Sequence, residues 1–375
     1  MNWILLAFIG LYVLQMLVFA IGFFRLKAFK TSEKAANTSF TIVVPFRNEA
    51  ENLNALMQTI LQLDYPKHLM VVIFVNDASD DASVEIIEDF IAKNNCKNWQ
   101  VLENRRISGS PKKDAISLAI SKAKGNWIFT TDADCVLPEK ILKNLDAYIQ
   151  SNSVKMLAGS VLAVSDKNNW ISNYQQLESL TLAGVTMGAF GNGQPIMCNG
   201  AHLAYQKSAF EAVNGFEGNN HIASGDDLFL MEKIQLAFPG NVHFLKSKNH
   251  IVLTKTENSF QKMLAQRVRW AAKATGYKNR FSQLTGLLVF LANASVVLCY
   301  ITLLLFGFEL VFLMLILMKW LVDEVFLYVV NSFFKKEIPW FHLRIIAILY
   351  PIITIIISAK AIFGTYQWKG REFKK

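Results

Sequence analysis

The pattern of hydrophobic and polar positions changes twice along the chain. Trp3 to Phe24 is apolar throughout apart from Gln15. A helix rises about 1.5 Å per residue, so this run is long enough to cross a hydrocarbon core of about 30 Å. From Phe40 onward, short apolar runs alternate with amphipathic stretches. Phe40–Pro45, Met70–Val75, Gln100–Leu102 and the run from Trp127 into Asp132 are rich in β-branched and aromatic residues and predict strands. Glu49–Leu63, Ser83–Lys93 and Lys113–Lys124 predict the intervening helices. Alternation of this kind implies an α/β fold with a mainly parallel sheet and helices on both faces. Trp170–Phe190 carries Glu178 as its single charge and reads either as an amphipathic helix along a membrane face or as a buried packing helix. Leu228–Ala237 and Phe260–Lys278 are further helical stretches. The last third returns to long apolar runs: Leu287–Phe308, Leu310–Phe334 and Trp340–Phe363.

Charge placement refines this. Arg25, Lys27, Lys30 and Lys34 follow the first apolar run, and no Lys or Arg precedes it. A cleaved signal peptide needs a basic start and a small-residue cleavage site, so a retained anchor is expected. The positive-inside rule then places the following region in the cytoplasm. Ala35–Ser39 reads as a short linker. Within Leu310–Phe334, Lys319 and Asp323 are four residues apart and are expected to pair on one helix face. Four full spans would return the basic tail Lys369–Lys375 to the outside, against the same rule. One resolution is that a segment is re-entrant or interfacial, and Pro351 makes Trp340–Phe363 the candidate hairpin.

Composition agrees with a membrane protein that has a polar middle. The 375 residues are 53% hydrophobic and 18% charged, too apolar for an ordinary soluble chain. Cys96, Cys135, Cys198 and Cys299 form no C-x-x-C pair, so neither a disulfide framework nor a zinc site is expected. The net charge of +9 points to anionic headgroups and substrate phosphates rather than to nucleic acid, for which no recognition motif is present.

The candidate chemistry lies at strand ends, where ligands bind in open α/β sheets. Arg47, Asn48 and Glu49 follow the first strand, Asp77 the second, and Asp132 and Asp134 the fourth. Side chains at i and i+2 of an extended chain point the same way, so Asp132 and Asp134 would repel each other. A hard divalent ion completed by diphosphate oxygens and water relieves this; the bland alternative is a solvated turn. Further on stand the loops Asn199-Gly200-Ala201 and Ser224-Gly225-Asp226-Asp227, and the basic-aromatic run Gln266-Arg267-Val268-Arg269-Trp270.

In this order and at these spacings, from about Phe40 to Lys273, the motifs resemble those of the membrane-bound family 2 glycosyltransferases. That family includes cellulose, hyaluronan and poly-N-acetylglucosamine synthases and ceramide glucosyltransferases. Val44-Pro45-Phe46-Arg47-Asn48-Glu49 resembles its opening strand and loop, and Asn76 to Asp81 its second aspartate motif. Lys112-Lys113-Asp114 resembles its lysine-led helix start, Asp132-Ala133-Asp134 its D-x-D, Asp226-Asp227 its acidic pair, and Gln266-x-x-Arg269-Trp270 its Q-x-x-R-W. The resemblance implies a GT-A fold at residues 38–280, preceded by a transmembrane anchor at 1–30 and followed by a membrane region at 281–375 with two or three spans. It implies a nucleotide-sugar donor, UDP-linked, a divalent cation (Mg²⁺ or Mn²⁺), a lipid or glycan acceptor, and an integral membrane location with the catalytic domain cytoplasmic.

The implied roles follow. Pro45, Arg47, Glu49 and Asp77 would line the nucleoside, with helix capping as the alternative for Glu49 and Asp77. Lys112 or Lys113 would neutralise diphosphate at a helix N-terminus. Asp134 with Asp132 would hold the metal, Asp132 also facing the sugar side. Asp227 would take the acceptor proton, supported by Asp226, and one displacement implies inversion; a helix N-cap is the alternative. Gln266, Arg269, Trp270, Asn199 and Gly200 would serve diphosphate and acceptor. Three positions depart from the family pattern: Asn76 for an acid, Asp226 for Glu, and His202 for an Asn near the acceptor loop. Three apolar C-terminal segments are few for a polymer channel, which favours a lipid acceptor, or a partner subunit, over processive synthesis by this chain. A non-catalytic membrane scaffold is the reading from another class, and intact Asp134, Asp227 and Arg269 speak against it.

Overall fold

The computed structural model describes residues 2–30, 34–220, 222–276, 278–364, 366–368 and 371–373. In chain order the elements are α1 (Asn2–Arg25), β1 (Phe40–Phe46), α2 (Ala50–Leu61), β2 (Met70–Asn76), α3 (Ser83–Lys93), β3 (Trp99–Glu103) and α4 (Pro111–Lys122). Next come β4 (Trp127–Thr130), β5 (Cys135–Val136), α5 (Ile141–Ile149), β6 (Met156–Ala158), β7 (Val161–Val164) and α6 (Trp170–Gly191). They are followed by β8 (Leu203–Gln206), α7 (Lys207–Ala212), α8 (Asp226–Ala237), β9 (Val242–Phe244), β10 (Val252–Lys255) and α9 (Phe260–Ala272). The chain closes with α10 (Arg280–Phe306), α11 (Leu310–Phe334), α12 (Trp340–Phe363) and the short antiparallel pair β11 (Tyr366–Trp368) and β12 (Arg371–Phe373). Lys369, Gly370, Lys374 and Lys375 of the basic tail lie outside the described residues.

These elements gather into two compact units that do not follow linear order. One comprises Lys27–Leu162 and Met197–Lys255, the other Met1–Leu26, Ala163–Ile196 and Thr256–Lys375.

The first unit is built on a seven-stranded sheet of order β3-β2-β1-β4-β8-β6-β9. β3, β2, β1 and β4 are mutually parallel, whereas β8 runs antiparallel to both β4 and β6. The α/β class with a mainly parallel sheet is therefore as the alternation predicts. β4 and nearly all of β1 are buried, which explains their continuous apolar runs. Ile42, Val44, Phe74 and Phe129 enter a single core with Leu53, Leu56 and Ile60 of α2. Because β2, β1 and β4 are parallel neighbours, Asp77, Arg47 and Asp132 all emerge at one edge of the sheet. β8 enters from that same edge, bringing the Asn199–Gly200 loop with it. A short ladder sets Thr254 of β10 opposite Cys135 of β5. The linker is pinned rather than free, since the backbone N–H groups of Asn37 and Thr38 donate to the Asp146 carboxylate.

The second unit is helical. α1 buries Leu5, Ile9, Tyr12, Met16, Phe19 and Phe23, a stripe spaced three or four residues apart. α6 is the buried packing helix of the two readings, with most of its length enclosed. Glycines let it approach α1 closely: a Cβ on Gly188 would lie 2.3 Å from the Phe19 carbonyl oxygen, and one on Gly191 1.9 Å from that of Gly22. α1, α10 and α12 are long and apolar enough to cross a membrane. α11 carries the expected pair, with Lys319 Nζ 2.6 Å from Asp323 and almost fully buried. The Tyr12 hydroxyl donates to the same carboxylate at 2.7 Å. The hairpin expected at Pro351 is not formed, because α12 runs unbroken from Trp340 to Phe363 with Pro351 inside it. The segment has no Gly, Asn or Asp to make a turn, and neighbouring helices let a buried helix tolerate proline.

Candidate active site

The centre of the site is a lysine between two carboxylates. β4 ends at Thr130, whose hydroxyl donates to the Gly200 carbonyl at 2.7 Å. Asp132 and Asp134 then lie in a turn closed by the Cys135 N–H on the Asp132 carbonyl, not on an extended strand as expected. A turn needs fewer like-pointing side chains than a strand, and the two carboxylates have different surroundings. Asp132 pairs with Lys112 Nζ at 2.8 Å, and the same ammonium lies 3.3 Å from Asp226. Burial pulls the Lys112 ammonium down, but Asp132 and Asp226 outweigh it and raise its pKa. Asp134 accepts from the Thr254 hydroxyl at 3.0 Å. Burial, then the charges of Asp132 and Glu49, push the Asp134 carboxyl up to about 6 despite that hydrogen bond.

The acidic pair opens α8. Its N-cap is Gly225, in the left-handed region at φ 81°, where a Cβ would also come within 2.7 Å of the Phe229 ring. Asp226 and Asp227 are thus the first and second helical residues, and the N-cap reading of Asp227 is ruled out. Asp227 accepts from the Gly200 N–H at 3.2 Å and the Leu228 N–H at 2.7 Å. Gly200 lets the turn approach the acidic pair closely, since a Cβ there would lie 3.0 Å from the Asp226 carboxylate. Asn199 accepts from the Ala201 N–H at 2.9 Å and so shapes this turn.

The two lysines divide their tasks. Lys113 turns away from the carboxylates and donates to the Asn219 and Ile222 carbonyls at 2.6 and 2.9 Å. Ser110, just before Pro111, reaches the Ala223 carbonyl at 3.2 Å. The start of α4 is thereby tied to the loop that leads into the acidic pair. Sequence reasoning had no signal for Ser110, nor for Thr254.

Along the sheet edge, Asp77 is buried and accepts from Asn104 and Arg106, each at 2.9 Å. It caps no helix. Glu49 occupies the N-cap position of α2, but its carboxylate accepts from the Asn52 side chain at 2.8 Å and caps no backbone N–H. Arg47 donates to the Asp77 carbonyl at 2.8 Å and to that of Ala78, and pairs with Asp80 at 3.4 Å. Pro45 lies opposite Val75 in the sheet. Asn76 donates to both oxygens of Glu103, at 3.1 and 2.9 Å, where an acid would be repelled; this explains that departure. His202 is buried, hydrogen-bonded to the Ser160 carbonyl at 2.9 Å and packed 4.4 Å from the ring of His250, so it faces the core.

Gln266, Arg269 and Trp270 belong to the helical unit, on α9. There Arg267, which the motif leaves unspecified, is the buried member: it pairs with Glu178 of α6 at 2.6 Å and lies 4.2 Å over the Trp270 ring. Gln266 reaches Glu257 at 3.4 Å.

Among the described residues, no three His, Cys, Asp or Glu side chains converge to hold an ion by themselves. One or two carboxylates completed by diphosphate and water are what Mg²⁺ ordinarily takes. Asp134, half-buried and within the charge influence of Asp132 and Glu49, fits that donor set.

Residues 41–213 match the family described as Glycosyl transferase family 2. The chain is 29% identical over 118 residues to the poly(ribitol-phosphate) β-N-acetylglucosaminyltransferase TarS of Staphylococcus aureus, covering 32% of this chain and 20% of that protein. It is 23% identical over 226 residues to the poly-β-1,6-N-acetyl-D-glucosamine synthase of Staphylococcus epidermidis, covering 60% and 52%. The match thus spans between a fifth and about half of these relatives' length. A solved structure of the mannosyltransferase PcManGT from Pyrobaculum calidifontis, in complex with GDP-Man and Mn²⁺, shares the fold with a TM-score of 0.61 at 16% identity, over 96% of this chain and 99% of that one.

Proposed function

We propose, from the match of residues 41–213 to the family described as Glycosyl transferase family 2, that the chain moves a sugar from a nucleotide donor, UDP-linked, to a hydroxyl of a lipid or glycan acceptor with inversion. The observation that carries this reading is the Lys112 ammonium set between Asp132 and Asp226, with Asp227 held beside them on the Gly200 N–H. Such a cluster at the carboxyl edge of parallel strands supports a reading in which Lys112 serves the diphosphate and Asp227 is the base for the acceptor.

Asp227 takes the proton of the acceptor hydroxyl as its oxygen bonds the anomeric carbon. The bond from that carbon to the diphosphate oxygen breaks, and the nucleoside diphosphate leaves with the electron pair. A carboxylate in the first turn of a helix is favoured by the macrodipole, which suits Asp227 to wait ionised. Asp226 holds Lys112 on the leaving-group side. A divalent cation bound by Asp134 with Asp132 would stabilise charge on the departing diphosphate. Glu49 and Asp77 serve the nucleoside. Gln266, Arg269 and Trp270 enter this reading through the family resemblance alone. Three C-terminal helices favour transfer of one or a few sugars to a lipid over processive synthesis by this chain.

The test is incubation of membranes containing the protein with radiolabelled UDP- and GDP-sugars, followed by separation of lipid-soluble from polymeric products. Label in the lipid fraction from a UDP-sugar is expected. Absence of both transfer and nucleoside diphosphate release across the panel would overturn the reading.

A further inference from the structure

Lys112 already occupies the place a second cation would need. Its Nζ is 2.8 Å from Asp132 and 3.3 Å from Asp226, closer than two cations can share a carboxylate without strong repulsion. The backbone beneath it is fixed: Pro111 begins α4, Ser110 is tied to Ala223, and Lys113 is clamped on Asn219 and Ile222. The Lys112 side chain, a fifth exposed, is the movable part. Four rotatable bonds let an ammonium swing by several ångströms without any backbone change.

We propose that Lys112 is a resident counter-cation that competes with the divalent ion for Asp132 and yields to it when a diphosphate arrives to take over the ammonium. This rests on the glycosyltransferase reading and assigns Lys112 as a positioning residue for the metal. The diphosphate supplies the anionic oxygens that Asp132 and Asp226 provide now, so turning to it leaves the ammonium paired. Asp132 is then released to help Asp134. Metal and nucleotide therefore bind with positive coupling, and by linkage each strengthens the other by the same factor. Lys113, whose ammonium is spent on backbone carbonyls, cannot substitute.

The experiment titrates Mn²⁺ into the full-length protein in nanodiscs, following free Mn²⁺ by electron paramagnetic resonance, without nucleotide and with UDP or GDP. Chelation by nucleotide alone is subtracted. Wild type should bind Mn²⁺ about tenfold tighter with UDP than without. Lys112→Gln should bind Mn²⁺ alone about five- to tenfold tighter than wild type and lose most of the nucleotide effect. Lys112→Arg should behave as wild type. Asp226→Asn, which leaves the ammonium with Asp132 alone and removes one negative charge, should bind Mn²⁺ alone more weakly than wild type, and serves if Lys112→Gln does not fold. Unchanged Mn²⁺ binding in both Lys112→Gln and Asp226→Asn, with the UDP effect intact, overturns the inference and leaves the proposed function standing. Failure of every form to bind Mn²⁺ with either nucleotide removes the metal from the proposed function and the inference with it.

Discussion

At the scale of single residues, Asp227 carries the sharpest expectation. The Gly200 and Leu228 N–H groups now use one carboxylate oxygen each; Asn in its place keeps an acceptor for one of them and matches the carboxylate in size, so the fold should hold while the turn loses one hydrogen bond. The base is lost, and transfer should fall about 10²- to 10⁴-fold with donor binding retained. Asp226→Asn should be milder. Rates per folded molecule, with nucleotide binding measured alongside, check both; a folded Asp227→Asn enzyme within a few-fold of wild type would place the base elsewhere. His202 gives a stability expectation. Burial lowers its pKa to about 4, and that of His250 falls well below the usual value. Between about pH 6.5 and 4 the unfolded chain binds the extra protons, so stability should drop as pH falls through that window, by on the order of a few kcal/mol. Asp134, raised to about 6, slopes the other way over part of it. The histidine share is therefore read as a difference: His202→Asn should lose less melting temperature between pH 7.5 and 5 than wild type does. The sequence named nearly every group in the acidic cluster, because D-x-D, the acidic pair and the lysines are short motifs. It could not say that Lys112 faces the carboxylates while Lys113 faces carbonyls, since adjacent helix positions differ by about 100° and either could have pointed inward. Nor could it find Thr254, which reaches Asp134 only through a two-residue ladder formed far along the chain.

At the scale of elements, periodicity predicted β1, β2, β4, α3, α11 and α12 within a residue or two, because each has one strong period and clear ends. The failures share a cause. Pro351 and the D-x-D were read from local rules, and tertiary surroundings decided both. α6 was legible as a helix but not as a buried one, because the partners that bury it come from both ends of the chain. Its glycines now make a definite prediction. Gly188→Leu must push α1 away at the Phe19 carbonyl. Overpacking of this kind typically costs about 1–3 kcal/mol, so the variant should melt earlier in detergent while Gly10→Leu, whose Cβ meets nothing within 4 Å, should not. Equal melting of the two would mean that the helix crossing contributes nothing.

At the scale of the whole molecule, the proposed function together with the four basic residues after α1 predicts that the Asp-bearing unit faces the cytoplasm. A reporter joined near Thr38 should register there, and a signal from the opposite side would overturn that placement. Stripping divalent ions with chelator should abolish transfer, and Mn²⁺ or Mg²⁺ should restore it; full turnover with metal shown to be absent would separate Asp134 from any ion. The interleaving of the two units also has a consequence in time. Synthesis runs at roughly 5–20 residues per second. The unit that holds Asp132 and Asp227 is complete once Lys255 has emerged, whereas the helical unit must wait for α11 and α12. α6 is therefore made, with its apolar face uncovered, on the order of ten seconds before those last partners exist. α1, against which α6 packs, is already present. The glycine contact at Phe19 and Gly22 is thus a nursery for α6 during that interval, and a nascent chain carrying Gly188→Leu should be degraded within its first minute even where the finished protein would stand.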